Sequence, residues 1–438
     1  MTGIRVMRLG ELTDEERQSL FGRSQLGVPA VMDACRQIIE SVRCQGDEAL
    51  LACTARFDQV ILSSSDLRVK KEEFEQAERR LPTGMKAAVN HAIGNIRKFH
   101  EAQVPRGIRW VETERGVWCG ERWTPIESVC LYVPRGRGAF PSVAYMLGVP
   151  ARLAGVPKIT LCTPPGEGGK VDPATLYVAG VLGIDEVYRI GGAQAVAAVA
   201  YGTQSIPRSA KFVGPGNVYV EAARKLLSDI LDPGPPAGPS ESLILCDESA
   251  DPENAAWNLL IEAEHGENST AILVTHVPAA ARAIAEAVER LYALLSSQRR
   301  EFAETVLGGR GGILITDSLA ESIGFANAFA AEHVALMVAD PWDVLQELTH
   351  AGEIVFGEYP IISLANYAMG INAILPTGGR ARTTSGVSVF DFLKRTALGF
   401  LTTKGFRSLQ EEVSVMSRYE GFSAHHEAVE RWRVGTGR

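Results

Sequence analysis

The stretch EVYRIGGAQAVAAVAYG, residues 186–202, reads as a short strand, a tight glycine turn and a helix. The β-branched and aromatic run stops at Gly191 and Gly192, and the alanine-rich run after it has the composition of a helix packed against a sheet. A second unit of the same kind follows, AKFVGPGN (210–217) leading into VYVEAARKLLSDIL (218–231). Upstream, SVCLYVP (128–134) and KITLCTPP (158–165) are short apolar runs closed by turn residues, with the helix-like SVAYMLGVPARLAGV between them. Strands alternating with helices in this way predict an α/β chain whose parallel sheet is covered on both faces, an architecture shared by many nucleotide-binding domains and by others.

Beyond the proline-rich LDPGPPAGPS (231–240) the alternation resumes with SLILCD, a helix around NAAWNLLIEAEHG, TAILVT, AAARAIAEAVERLYALLSS, GGILIT, HVALMV and EIVFGE. Before residue 123 the apolar residues of VPAVMDACRQIIESVRCQGDEALLACTARF, EEFEQAERRL and MKAAVNHAIGNIRKFHEA recur at three and four, which predicts helices. These N-terminal helices lack a sheet in chain order, so residues 1–125 are expected to join 241–385 in one discontinuous α/β domain. Residues 126–240 form the other. The tail, 386–438, holds the short helical pieces VFDFLKRTAL and SLQEEVSVMSRYEGF and is too short for a core of its own, so it is expected to lean on a second subunit.

Composition narrows the function. At 438 residues, 46% of them hydrophobic, the chain exceeds the roughly 250–300 residues at which one core stops growing. A net charge of −8 argues against a general binder of nucleic acid or anionic membranes. Seven scattered cysteines, none in CxxC spacing, suggest neither a disulfide framework nor a thiolate zinc site. The N-terminus has acids where a signal peptide needs an apolar run, and no uncharged apolar run reaches the ~18 residues of a membrane span. The reading is a cytoplasmic protein with a small-molecule substrate.

Three places carry chemistry. The turns GGAQA (191–195) and GPGN (214–217) each follow a strand and open a helix, where unpaired N–H groups and the dipole favour phosphate, although neither is a GxGxxG and a plain turn reads equally well. Glu332 and His333 stand between an alanine-rich helix and the strand HVALMV; a histidine can take an alcohol proton and a neighbouring carboxylate can activate water, while the bland alternative is a helix-end ion pair. In IEAEHGENS, Glu262 and His265 share a helical face at i, i+3, a spacing that suits a metal or a solvated helix end. Only eight histidines occur, and they cluster beside acids in EAEHG, AAEHV and YEGFSAHHE. For His425 alone, a helix start capped by Ser423 is the plain reading.

Taken in order, CLYVPRGRGAFPSV, RIGGAQAVAAVAYGT, VGPGNVYV, PAGPSESLIL, EAEHG, AAEHVAL, LPTGGRARTTSGVSV and YEGFSAHHEAV resemble the histidinol dehydrogenase family over nearly the whole chain. The resemblance implies two incomplete Rossmann-like domains, a small tail that reaches the partner subunit, and an intertwined homodimer with shared active sites. It implies oxidation of an alcohol to the carboxylate by way of the aldehyde, with two NAD and one zinc, or another divalent metal, per site. On this likeness Glu332 and His333 match the acid–base pair, His333 as base for the alcohol and Glu332 as activator of water. Tyr132, Gln194 and Asn217 match positions contacting NAD, and Ser240, His333 and Glu420 match substrate contacts.

The family's metal ligands, Gln, His, Asp and the partner's His, fall on Glu262, His265, Asn366 and His425. Amide and carboxylate have exchanged places, so the summed ligand charge is unchanged and both still offer oxygen. Two further positions differ, Ile362 where the family usually has Glu and Ala373 where it has His. Losing that negative charge and imidazole costs a cationic amino alcohol complementarity of about a few kcal/mol. An alcohol other than L-histidinol is therefore expected, against the readings of a genuine histidinol dehydrogenase and of a catalytically silent nucleotide- or metal-binding relative.

Overall fold

A computed structural model describes residues 3–22, 28–135, 138–236 and 238–432; Gly136 and Arg137 of the first quoted family motif, Ala237 of the PAGPSESLIL motif and the last six residues of the tail lie outside them. The strands are β1 (Val6–Arg8), β2 (Arg109–Glu114), β3 (Val117–Pro125), β4 (Ser128–Tyr132), β5 (Lys158–Thr163), β6 (Glu186–Arg189) and β7 (Lys211–Val213). They continue with β8 (Glu241–Cys246), β9 (Thr270–Thr275), β10 (Gly312–Ile315), β11 (His333–Met337), β12 (Glu353–Phe356) and β13 (Leu393–Leu401). The chain is α/β, as its alternation predicts. One parallel sheet has the order β6-β5-β4-β7, another β1-β10-β9-β8-β11-β12, and a third, antiparallel, is β13-β3-β2.

The described residues of Met1–Gln103 and Glu127–Phe392 make up a larger unit containing both parallel sheets, and those of Val104–Ile126 and Leu393–Arg438 a smaller one. In the larger unit the sheet strands β4 and β8 are buried along their whole length, as expected of strands covered on both faces. The helix Gly192–Tyr201 shows why its alanines are there: Ala193 and everything from Ala195 to Ala200 are buried, so small side chains let it sit close to the sheet and its neighbours.

Two expectations about domains need correction. The helix Val28–Gln45 buries Cys35, Ile39 and Val42 in the same cluster as Cys130, Tyr132, Cys162 and Phe212, so it covers the sheet of residues 126–240, not that of 241–385. The first described residues do join the six-stranded sheet, through β1 beside β10 and through Met7, Leu9 and Leu20 in its core. Helical periodicity states which face is buried and leaves its partner open.

The tail is the second correction. Residues 393–401 form strand β13, paired with β3 along nine residues from Leu393 opposite Pro125 to Leu401 opposite Val117. Thus 104–126 belong with the tail, and the unit starts at Leu393, after the fully buried Phe392, and not at 386. Two helices, Thr403–Tyr419 and Ser423–Glu430, complete it. The second is preceded by Phe422 with no side-chain cap, so Ser423 is its first residue and caps nothing.

Candidate active site

Strand order β6-β5-β4-β7 places a switch point between β4 and β7, where the chain leaves to either side and where open parallel sheets offer a crevice at their carboxyl ends. Tyr132 ends β4 there, and Gly214 to Asn217 leave β7 beside it. The approach is close: a Cβ on Gly214, whose φ is +144°, would stand 2.1 Å from the Tyr132 carbonyl oxygen, so only glycine fits. The Tyr132 hydroxyl accepts a hydrogen bond from the Gly192 N–H at 3.1 Å, and its ring stacks on Phe212 with centroids 5.3 Å apart. Burial pushes this phenol's pKa well up, so it stays neutral and holds the GGAQA turn.

Gln194 is buried in the first turn of the helix Gly192–Tyr201, whose N-terminus carries no side-chain cap. Asn217 caps the helix Val218–Leu226, its Oδ1 accepting from Tyr219 N at 3.1 Å and Val220 N at 3.2 Å. The three residues matched to NAD thus stand at or just beyond the carboxyl ends of β4, β6 and β7, two of them at helix N-termini, and a diphosphate fits such a place.

The Glu332–His333 pair lies in the other parallel sheet, at the amino ends of its strands. Glu332 precedes β11 and His333 opens it; Ser240 directly precedes β8. Glu332 is 7% exposed and His333 4%. The Glu332 Oε2 accepts from the Glu241 N–H at 2.9 Å, and its Oε1 lies 3.7 Å from His333 Nε2. On the other side of the ring, Nδ1 lies 2.6 Å from Glu353 Oε1. Burial raises Glu332 well above the usual carboxylate range, and the neighbouring Glu262 and Glu241 charges add to that. For His333 burial works downward, but the carboxylates around the ring, Glu332 first and then Glu353 and Glu262, outweigh it and raise its pKa to about 10.

Glu262, 1% exposed, ends the helix Pro252–Ala263 beside this pair. Burial opposes its ionisation, yet the charges of His265 and His333 and hydrogen bonds from Asn366 and Ser240 keep it below the usual range. His265 Nδ1 is 3.6 Å from Glu262 Oε2 and donates to the Ile261 carbonyl at 2.8 Å, which fixes the orientation of the ring. Asn366 Nδ2 donates to Glu262 Oε1 at 3.3 Å, while its Oδ1 is buried without a hydrogen-bond partner. Among the described residues no three His, Cys, Asp or Glu side chains form a ligand cluster, but the amide oxygen of Asn366 supplies the third donor beside Glu262 and His265. An orphaned amide oxygen next to a buried carboxylate and an imidazole fits a divalent cation.

Glu420 and His425 lie in the smaller unit, both exposed, Glu420 ending the helix Thr403–Tyr419 and His425 packed 5.1 Å from the Phe422 ring. Ile362 is fully buried in the apolar cluster with Leu259 and Leu260, so the replacement there serves packing. Two residues escape a reading of the sequence: Glu353, the buried partner of His333, and Glu241, which orders both Glu332 and the Gly378 N–H. Cross-strand register joins Glu353 to His333, and no local spacing signals it.

A family model for histidinol dehydrogenase matches residues 22–433. The chain is 46% identical to a histidinol dehydrogenase of a Synechocystis species over 97% of its length and 98% of that protein's, and 44% identical to a histidinol dehydrogenase homolog of Colwellia psychrerythraea over 98% and 97%. The crystal structure of histidinol dehydrogenase from Elizabethkingia anophelis is similar at a TM-score of 0.92 and 34% identity, covering 98% of this chain and 97% of that one. Whole-chain likeness in sequence and in structure places the chain, with its buried Glu332–His333 pair, in the histidinol dehydrogenase family, NAD-dependent oxidoreductases acting on CH–OH groups.

Proposed function

We propose that this protein oxidises an alcohol to its carboxylate by way of the aldehyde, with two NAD, on a substrate other than L-histidinol. The observation that carries the reading is the buried Glu332–His333 pair, with Nε2 turned toward the carboxylate of Glu332. Glu262, His265 and Asn366, with His425 of a second copy, would hold a divalent cation, which would supply positive charge to the site, and bound NAD would accept the hydride. In the first half-reaction the neutral form of His333, whose share grows as pH rises toward about 10, takes the hydroxyl proton on Nε2 as the C–H hydride leaves. In the second, Glu332, whose raised pKa makes it a stronger base, once ionised, than an exposed glutamate, takes a proton from the water that adds to the aldehyde carbon, and the hydrate anion so formed gives its C–H hydride to the second NAD and becomes the carboxylic acid. Tyr132, Gln194 and Asn217 hold the dinucleotide, and Ser240 and Glu420 orient the substrate. The relatives named above, at 44–46% identity, carry both the plain name and the name homolog, and Ile362 and Ala373 replace polar groups of the family pattern; these support a changed substrate.

The test follows NADH formation over a panel of alcohols, histidinol included. His333→Ala is expected to lower turnover on the best alcohol by about 10²–10⁴-fold, and a loss under about threefold removes His333 from the reaction. Efficient turnover of histidinol above all others overturns the substrate reading and leaves the enzyme reading standing.

A further inference from the structure

We infer that Glu353 is a positioning residue for His333, fixing the imidazole tautomer and aiming Nε2 at the reacting hydroxyl. The inference rests on the acid–base role given to His333 above. His333 and Glu353 stand opposite each other in the parallel pair β11–β12, which puts their side chains on one face. The bond from Nδ1 to Glu353 Oε1 is 2.6 Å, and both side chains are 5% exposed. A carboxylate accepts but does not donate, so Nδ1 keeps its proton and Nε2 is the nitrogen that takes one. Two apolar side chains would fill the same space without the desolvation that a buried ion pair suffers. What only a carboxylate does there is accept from Nδ1 and oppose the charge that the ring gains.

The backbone makes the placement rigid. Gly352 N donates to Ala331 O at 2.9 Å and Glu353 N to Glu332 O at 3.0 Å, so the segments carrying base and carboxylate are hydrogen-bonded residue by residue. A Cβ at position 352 would stand 2.5 Å from the Glu332 carbonyl oxygen and 3.2 Å from Leu375 Cβ. Gly352 thus permits the approach that brings Glu353 to the ring. In the alcohol step the O–H bond breaks to Nε2, the C–H bond yields its hydride to the nicotinamide, and the carbonyl forms. The Nδ1 proton stays on the ring throughout, held in its hydrogen bond to Glu353 Oε1.

The experiment uses the full chain with 15N-labelled histidine, assigning His333 by its loss in His333→Ala. Wild type is expected to show a low-field proton on Nδ1, which Glu353→Gln abolishes because the amide nitrogen can turn toward the ring and reverse the tautomer. Turnover of Glu353→Gln should fall by about 10²–10⁴-fold, in line with losing the carboxylate behind a catalytic histidine, while NAD affinity by calorimetry stays unchanged. Glu353→Asp, which keeps an acceptor, should retain the resonance and recover at least about tenfold over the Gln variant. A retained resonance in Glu353→Gln, turnover there within about threefold of wild type, or a folded Glu353→Asp as slow as the Gln variant overturns the inference. If Glu353→Gln does not fold, Glu353→Asp decides alone: loss of the Nδ1 resonance or of turnover refutes the role. The resonance needs no substrate, so a protein that turns over none of the alcohols contradicts the proposed function and leaves the tautomer result readable.

Discussion

Asp58 shows how far a single carboxyl can be moved by its surroundings: burial pushes it up to about 6, and one of its oxygens is buried without a hydrogen-bond partner. Its folded pKa lies above the unfolded value of about 3.9, so its contribution to stability is present below that value and is lost as pH rises through about 6. Wild type minus Asp58→Asn, measured by denaturant unfolding at several pH values, should therefore fall between pH about 4 and 6 and then level; a flat difference removes the shift. The ligand exchange belongs to the same scale. Glu262→Gln leaves two amides beside His265 and should weaken divalent-metal binding by about 10–100-fold, and adding Asn366→Asp should recover much of it. Metal content indifferent to both changes would mean that Glu262 and Asn366 hold no metal. The residue types at these positions can be read in the sequence, as can Glu332 and His333. The hydrogen bonds that decide their protonation cannot, because Glu241 and Glu353 reach the pair from strands 91 and 20 residues away.

Strands and helices differ in how much of themselves they declare. Fully buried strands such as β8 and β9 carry the apolar runs LILC and AILV and are legible at once. Strand β13 is not: LKRTALGFL is exposed over most of its length, and what makes it a strand is a nine-residue ladder to β3, a partner 268 residues earlier at Leu393 opposite Pro125. The helix Val28–Gln45 declares its apolar face through Cys35, Ile39 and Val42, yet nothing in that face names the sheet it covers. The GPGN turn is legible as a turn, while the need for Gly214 comes from Tyr132 on a different strand. Gly214→Ala should cost about 1–3 kcal/mol of stability, from a backbone conformation and a close approach that Cβ does not tolerate, and should weaken NAD binding by displacing Asn217. Denaturant unfolding and calorimetric titration with NAD read the two effects separately, and an unaltered NAD affinity would detach the turn from the dinucleotide.

For the molecule as a whole, the smaller unit poses the question of what covers it. In the single chain its helices and β13 leave Phe400, Val415, Met416, Tyr419, Phe422 and Trp432 between half and fully exposed, more apolar surface close together in sequence than isolated exposed residues explain. That unit also carries Glu420 and His425, which the family pattern assigns to substrate and metal. We propose a homodimer in which each tail completes the site of the other copy. Truncation before Leu393 should then abolish dimerisation and activity together. The sharper test is complementation. His333→Ala lacks the base and His425→Ala lacks the tail ligand, so each homodimer is inactive. Mixed by unfolding and refolding together, they form heterodimers in which one site has lost both residues and the other keeps both. With random pairing about half the dimers are mixed and each has one intact site, so recovery of about a quarter of wild-type activity is expected. Heterodimers that form, as shown by differently tagged subunits purifying together, but stay inactive would place His425 in its own chain's site, as would an active protein that sediments as a monomer.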